Sequence, residues 1–312
     1  MWNCRNALRG TVGGNEKNRD AVMGLVFLKF AGDKFEKRRA EIMQEYGDIP
    51  AFLEKDSFYR SKNVFYLNDT SRWTYIVKNA SADDIAVILD KGMADIEDRN
   101  PPLKGALPQN FYATLGTRKE QIKGLIDEIN KIDESRFHEK DLIGRVYEYF
   151  LQVFAIDAGQ GAEKGEFYTP QRISSILSAI VTLDSQEPAT GKKKKLNQIY
   201  DSACGSGSLL LNVRNPLGPH SIGKIYGQEN NITTYNLARM NMLLHGLKDT
   251  EFEIYHGDSL LNDWDILKEM NPAKKMQFDA VVANPPFSLR WEPNETLGED
   301  FRFKNYGLTC PH

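Results

Sequence analysis

The chain reads as an α/β protein, with a Rossmann-like, mostly parallel sheet preceded by an all-helical N-terminal domain. Three observations predict this. Short strand-like runs at residues 196–200, 225–229, 252–258 and 278–283 each finish at or beside a polar residue: Asp201, Glu229, Asp258 and Asn284. The stretches between the first three carry helical patterning, so strand and helix alternate as in βαβ units. Before them, helical periodicity dominates and strand-like alternation is lacking. Two domains are therefore expected, residues 1–135 and residues 136–312.

In the first domain, residues 20–46 place Val22, Leu25, Val26, Phe30 and Phe35 on one side of a helix. Ser81-Ala82-Asp83-Asp84 reads as a capping box for a helix reaching Met93, and Thr117-Arg118-Lys119-Glu120 as one for a helix over 121–132. A Pro-, Gly- and Asn-rich loop covers 100–110. The basic cluster from Lys34 to Arg39 is interleaved with Glu36, so it reads as a solvated face, and the Lys192–Lys195 run as a solvated loop. Residues 157–164 look like a flexible connector. Thr169 suits an N-cap and Pro170 the first helical position of a helix over 172–181.

The second domain carries the chemistry. The strand at 196–200 runs into Asp201-Ser202-Ala203-Cys204-Gly205-Ser206-Gly207-Ser208 and then a helix. A strand, a turn of small residues and a helix N-terminus let backbone approach a ligand closely. The turn lacks both the full G-x-G-x-x-G spacing and the Gly-Lys-Ser/Thr ending of a phosphate loop, so a nucleoside ligand suits it better than a phosphate. An ordinary β–α connection is the competing reading. Glu229, at the end of the next strand, is placed to accept two ribose hydroxyls. The helix over 234–244 then stops at Gly246, and a third strand ends in Gly257-Asp258. Asp258 reads either as an acceptor for an adenine amino group or as a turn acid in solvent.

Asn284-Pro285-Pro286-Phe287 follows the fourth apolar run. Two prolines fix φ twice and push the preceding residues to extended conformations. The Asn284 amide oxygen and the Pro285 carbonyl become a preformed pair of acceptors beside an aromatic plane. That arrangement suits an exocyclic amino group on a flat heterocycle, with Phe287 stacking on the ring. A plain Asn-Pro turn is the alternative.

In this order, the four segments resemble the S-adenosylmethionine-dependent amino-methyltransferases over about the last half of the chain. A narrower resemblance rests on Gly165-Glu166-Phe167-Tyr168-Thr169-Pro170-Gln171, upstream of the Asp201 turn. It is joined by the stretch from Trp2 to Phe30 and by Leu142-Ile143-Gly144-Arg145-Val146-Tyr147-Glu148-Tyr149-Phe150. Together these are similar to the modification subunit of type I restriction–modification systems. Ser202 stands where that family usually has Pro, and Ser208 where it usually has Gly.

The resemblance implies S-adenosylmethionine held by Glu166, Phe167, Tyr168, Thr169, Pro170, Gln171, Asp201, Ala203, Gly205, Ser206, Gly207, Ser208, Glu229 and Asp258. It implies transfer to N6 of an adenine flipped out of DNA at Asn284, Pro285, Pro286 and Phe287, with no metal. It also implies DNA, a specificity subunit, a second modification subunit and a restriction subunit as partners. The ending Thr309-Cys310-Pro311-His312 departs from the family, so a truncated chain is expected, with a sheet incomplete at its C-terminal strands. Alternatives are a non-catalytic fragment, or an amino-methyltransferase acting on RNA or on protein glutamine. Cytosine N4 is a second target compatible with the Asn-Pro-Pro turn alone.

Composition agrees with a globular protein: 312 residues, 41% hydrophobic and 27% charged. The net charge of −3 argues against a self-sufficient DNA binder and fits a subunit whose partner reads sequence. Cys4, Cys204 and Cys310 suit neither a disulfide framework nor a zinc site. Cys204 reads as a small packing residue. No secretory or membrane-spanning segment is evident, and a cytoplasmic location is expected.

Overall fold

The computed structural model describes residues 14–132, 169, 171–182, 196–217, 222–261, 264–269, 271, 273–286, 297–298 and 300–304. Among the described residues the chain opens with α1 (Gly14–Tyr46), α2 (Pro50–Leu53), α3 (Asp56–Arg60), α4 (Trp73–Lys78), α5 (Ile85–Arg99) and α6 (Lys119–Asn130). There follow α7 (Gln171–Thr182), β1 (Leu196–Asp201), α8 (Ser208–Leu217), β2 (Ile222–Glu229), α9 (Ile232–Leu244), β3 (Phe252–His256), β4 (Ala280–Val281) and α10 (Phe301–Lys304). The chain divides into two compact units, Met1–Ala158 with Asn236–Phe252, and Gly159–Tyr235 with Glu253–His312. No helix among the described residues is long and apolar enough to cross a membrane.

In the first unit, α1 is the axis. Val22, Leu25, Val26, Phe30 and Phe35 are all buried, as the spacing predicts, and Phe27 and Leu28 are buried with them. Each such side chain contributes roughly 1.5–3 kcal/mol on removal from water. Phe35 stacks on Tyr59 at 4.6 Å, and Tyr66 meets Phe35 edge-on at 5.9 Å. The Tyr66 hydroxyl donates to Glu54 at 2.7 Å, and burial together with that carboxylate pushes its pKa up to about 12.

Three expectations are corrected in this unit. The cluster from Lys34 to Arg39 is not a solvated face. Lys34 Nζ donates to the Leu244 carbonyl at 2.8 Å and Arg38 Nε to the Phe58 carbonyl at 3.1 Å, so these cations close helix and turn ends. Ser81–Asp84 forms no capping box: α5 begins after Asp84 without a side-chain cap and runs past Met93 to Arg99. Asp83 pairs instead with Lys119. The cap of α6 lies one residue later than Thr117, with Gln121 Oε1 accepting the Arg118 N–H at 3.1 Å.

The second unit holds a four-stranded sheet in the order β3-β2-β1-β4. β1 runs parallel to β2, with Tyr200 opposite Tyr226, and parallel to β4, with Tyr200 opposite Val281. The fourth strand is much shorter than the predicted 278–283. Only Ala280 and Val281 are ladder-paired, and Val281 is 60% exposed. Its register is fixed by Asp279, whose carboxylate accepts the N–H groups of Asn197 and Gln198. One face of the sheet carries Tyr200, Tyr226 and Trp264, with Tyr255 and Phe278 packed against them. On α7, the buried residues are Ser174, Ser178 and Thr182, and Ser174 Oγ accepts a hydrogen bond from Asn212 of α8 at 2.7 Å.

Asp90 is the sharpest stability test in the helical unit. It is 7% exposed, and its carboxylate accepts the N–H groups of Phe111, Tyr112 and Ala113, each at 2.9 Å. Hydrogen bonds to a charged group are worth roughly 1.5–3 kcal/mol, and their loss leaves donors without partners. Asp90→Ala should lower unfolding free energy by about 3 kcal/mol or more in urea titrations. Asp90→Asn, which keeps an acceptor for Phe111 and Tyr112, should cost less.

Candidate functional site

The strand order makes β1 a switch point, because the chain leaves it for β2 on one side and returns to its other side as β4. In open parallel sheets, ligands bind beyond the carboxyl ends of the strands at such a point. Both predicted segments lie there. β1 delivers Asp201 and the small-residue turn, and β4 delivers Asn284, Pro285 and Pro286 three residues after its last paired position. The two ends are joined by the Val282 N–H, which donates to the Tyr200 carbonyl at 2.9 Å.

The turn after β1 is a folded device. Gly205 and Gly207 take φ of 55° and 78°, the left-handed region that side chains disfavour. The Cys204 N–H donates to the Gln228 carbonyl at 2.9 Å and the Gly207 N–H to the Cys204 carbonyl at 2.8 Å. Beneath the turn, a Cβ at Gly227 would lie 2.9 Å from Cys204 Sγ and 2.8 Å from Ile254 Cδ1. Above it, a Cβ at Gly205 would meet none of the described residues within 4 Å. Ser206 and Ser208 share a hydroxyl contact of 2.9 Å at the start of α8.

Glu229 sits at the end of β2 and binds the turn directly. Its Oε2 accepts the Gly205 N–H at 3.1 Å and its Oε1 the Asn231 N–H at 2.8 Å. A carboxylate has about four lone-pair positions, and two backbone donors are placed on this one. Asn231 caps α9 by accepting the N–H groups of Thr233 (2.9 Å) and Thr234 (3.1 Å), which starts that helix two residues before the predicted Thr234. Asp258 is half-buried, and its Oδ1 accepts the Leu260 N–H at 2.8 Å.

Asp201 is almost fully buried, at 1% exposure, and its Oδ1 accepts the Ala203 N–H at 2.9 Å. Burial pushes its pKa up to about 7, the Ala203 N–H draws it partly back, and the Glu229 carboxylate raises it further. Burial drives the Cys204 thiol well above the usual range, and the Asp201 and Glu229 carboxylates add to this. Cys204 is thus a protonated packing residue, as its neighbours in sequence suggest.

Several contributors escape the sequence. Gln228 is wholly buried and accepts the Tyr200 hydroxyl at 3.0 Å; a Gln inside an apolar strand is the available signal. Ile232, Leu260 and Leu261 are exposed apolar residues just beyond the ends of β2 and β3. Ser259 fastens the β3 loop to the turn through the Ser202 carbonyl. Glu166, Phe167, Tyr168, Pro170 and Phe287 lie outside the described residues, as does the side chain of Gln171; Thr169 is half-buried.

A parallel sheet of order 3-2-1-4, with a glycine turn on its first strand, an acid on its second and an Asn-Pro-Pro turn after its fourth, has the Rossmann-like methyltransferase fold. The sequence matches the family described as N-6 DNA Methylase over residues 138–312, and the HsdM N-terminal domain over residues 1–132. The chain belongs to the N-6 DNA Methylase family. It is 32% identical to the type I restriction enzyme MpnII methylase subunit of Mycoplasma pneumoniae, across 100% of this chain and 62% of that protein. It is 30% identical to the MjaIX methylase subunit of Methanocaldococcus jannaschii, across 97% of this chain and 53% of that protein. The chain therefore spans between about half and three fifths of these relatives. The crystal structure of the type I restriction-modification system methyltransferase subunit from Streptococcus thermophilus superimposes with a TM-score of 0.74 at 27% identity, covering 99% of this chain and 67% of that one.

Asp201 makes stability depend on pH in a stated direction. Its folded pKa of about 7 lies above the ordinary 3.8. Between these values the folded chain keeps a proton that the unfolded chain has released. Stability should fall as pH rises from about 4 to about 7, by up to roughly 4 kcal/mol. Asp201→Asn should flatten that slope in urea titrations run across this range.

Proposed function

We propose that the chain is the methyltransferase subunit of a type I restriction–modification system, directing a methyl group from S-adenosylmethionine to adenine N6 in DNA. The observation that carries this reading is the switch point at β1, where a glycine turn tied to an acid and an Asn-Pro-Pro turn occur on adjacent parallel strands. The family match and the relatives' names support the same reading.

The residues fit a nucleoside-bearing donor. Among the described residues, the backbone at Gly205 stands bare to a ligand. Glu229 is the acceptor for ribose hydroxyls and Asp258 for the adenine amino group, and Ile232 and Leu260 offer apolar surface for the base. Asp201, Ala203, Ser206, Gly207 and Ser208 shape the turn, and the segment from Glu166 to Gln171 covers the methionine end. When bound, S-adenosylmethionine supplies an electrophilic methyl group.

The rest of the work falls to the acceptor turn. Asn284 Oδ1 and the Pro285 carbonyl accept the two hydrogens of the adenine amino group. Pro286 holds the turn rigid, and Phe287 stacks on the flipped base. Accepting both hydrogens draws the nitrogen lone pair out of conjugation and aims it at the donor. Catalysis is mostly positioning and polarisation. The partners are DNA, a specificity subunit that reads sequence, a second modification subunit and a restriction subunit, in the cytoplasm.

Tritiated-methyl transfer to unmethylated DNA by the assembled complex tests the reading. Asn284→Ala should lower turnover about a hundredfold or more, with donor affinity by calorimetry unchanged within about twofold. Near-normal turnover would reduce the motif to a plain turn and remove the function with it. Glu229→Ala should weaken donor binding by about tenfold or more, because it deletes the ribose acceptor and releases the Gly205 N–H together.

A further inference from the structure

Two buried side chains connect the donor turn to the acceptor turn, and neither belongs to either motif. Tyr200 is the penultimate residue of β1 and Gln228 the penultimate residue of β2. The Tyr200 hydroxyl donates to Gln228 Oε1 at 3.0 Å in a buried setting. Toward the donor side, the Gln228 carbonyl accepts the Cys204 N–H at 2.9 Å, and the Cys204 carbonyl accepts the Gly207 N–H at 2.8 Å. Toward the acceptor side, the Tyr200 ring stacks on Phe278 at 4.8 Å with 19° between planes. Phe278 leads directly into β4, and the Tyr200 carbonyl takes the Val282 N–H at 2.9 Å, two residues before Asn284. β4 itself has only two paired residues, so Tyr200 supplies much of what holds it.

We propose that Tyr200 and Gln228 are positioning residues that set the distance between the Asn284 turn and the donor turn. This rests on the methyltransferase reading above. The motif residues hold their ligands from two separate strand ends, and an in-line transfer tolerates little error between them. A displacement of about 1 Å can cost on the order of a hundredfold in rate. The β-ladder fixes the spacing of the strands. The Tyr200–Gln228 bond fixes the spacing of what the strands carry, because it ties the side chain touching β4 to the residue whose carbonyl holds the glycine turn.

The test uses the assembled methylation complex, unmethylated DNA and labelled donor, with turnover, donor affinity and thermal midpoint measured on each variant. Tyr200→Phe removes one oxygen and keeps the ring on Phe278. It should lower kcat about tenfold, with donor affinity and the KM for DNA within about twofold of wild type. The double variant Tyr200→Phe with Gln228→Met removes donor and acceptor of this bond together, so its thermal midpoint should lie above that of Tyr200→Phe. Its kcat should stay low. An unchanged kcat in Tyr200→Phe would overturn the proposal, as would a double variant whose kcat recovers with its thermal midpoint, since that is packing alone. Asn284→Ala in the same assay separates the levels. If it retains turnover, the methyltransferase reading fails; if it is inactive while Tyr200→Phe is normal, only the positioning role fails.

Discussion

The parallel pairing of β1 with a neighbour on each side is the constraint on which the second unit depends. A strand with partners on both edges has its backbone groups satisfied and its carboxyl end held in place. The chain leaves that end once, into the glycine turn, and meets it again when β4 arrives beside Tyr200. Three of the residues assigned to the candidate site hang from this one strand. Asp201 terminates it, Glu229 ends its partner β2 and reaches back to its turn, and Asn284 follows its other partner.

The site also contains a built-in opposition between stability and use. A carboxylate at 1% exposure, with one backbone N–H to bond and another carboxylate nearby, is an uncomfortable group near neutral pH. A neutral residue would relieve that burial cost. The same holds for Gly205, where none of the described residues comes within 4 Å of a Cβ and the backbone stands bare. Binding sites commonly hold such locally unfavourable arrangements, which the surrounding packing must stabilise. Here the Tyr200–Tyr226–Trp264 cluster and the stacked Phe278 lie within the same unit as the turn.

Much of the second unit was legible because strand and turn signals there are local. Apolar runs, the acids that end them, and glycines at φ of 55° and 78° all leave marks within a few residues. That the two turns end on neighbouring strands was not legible in this way, since adjacency in sequence would set β4 beside β3, whereas it pairs with β1. What was not legible depends on distant partners. The cations from Lys34 to Arg39 look solvated until Leu244 and Phe58 bring carbonyls to them. Ser81–Asp84 has the composition of a cap, but Asp83 is taken by Lys119 and no side chain closes the helix end. The long apolar run 278–283 suggested a full strand, yet only Ala280 and Val281 are paired, with Asp279 fixing the register. Gln228 gave almost no warning, since its meaning lies in the hydroxyl of Tyr200, 28 positions away.

The shortness of β4 has a consequence for how the molecule comes together. β1, its turn, α8 and β2 are close along the chain, so the donor turn can assemble from local contacts. β4 must close a loop against β1, with Asp279 meeting Asn197 across 82 positions, and gains only a two-residue ladder for doing so. The entropy of that closure is offset only when Asp279, Phe278 and Val282 seat together. Chain length therefore favours an order of folding in which the turn after β1 forms before the Asn284 turn.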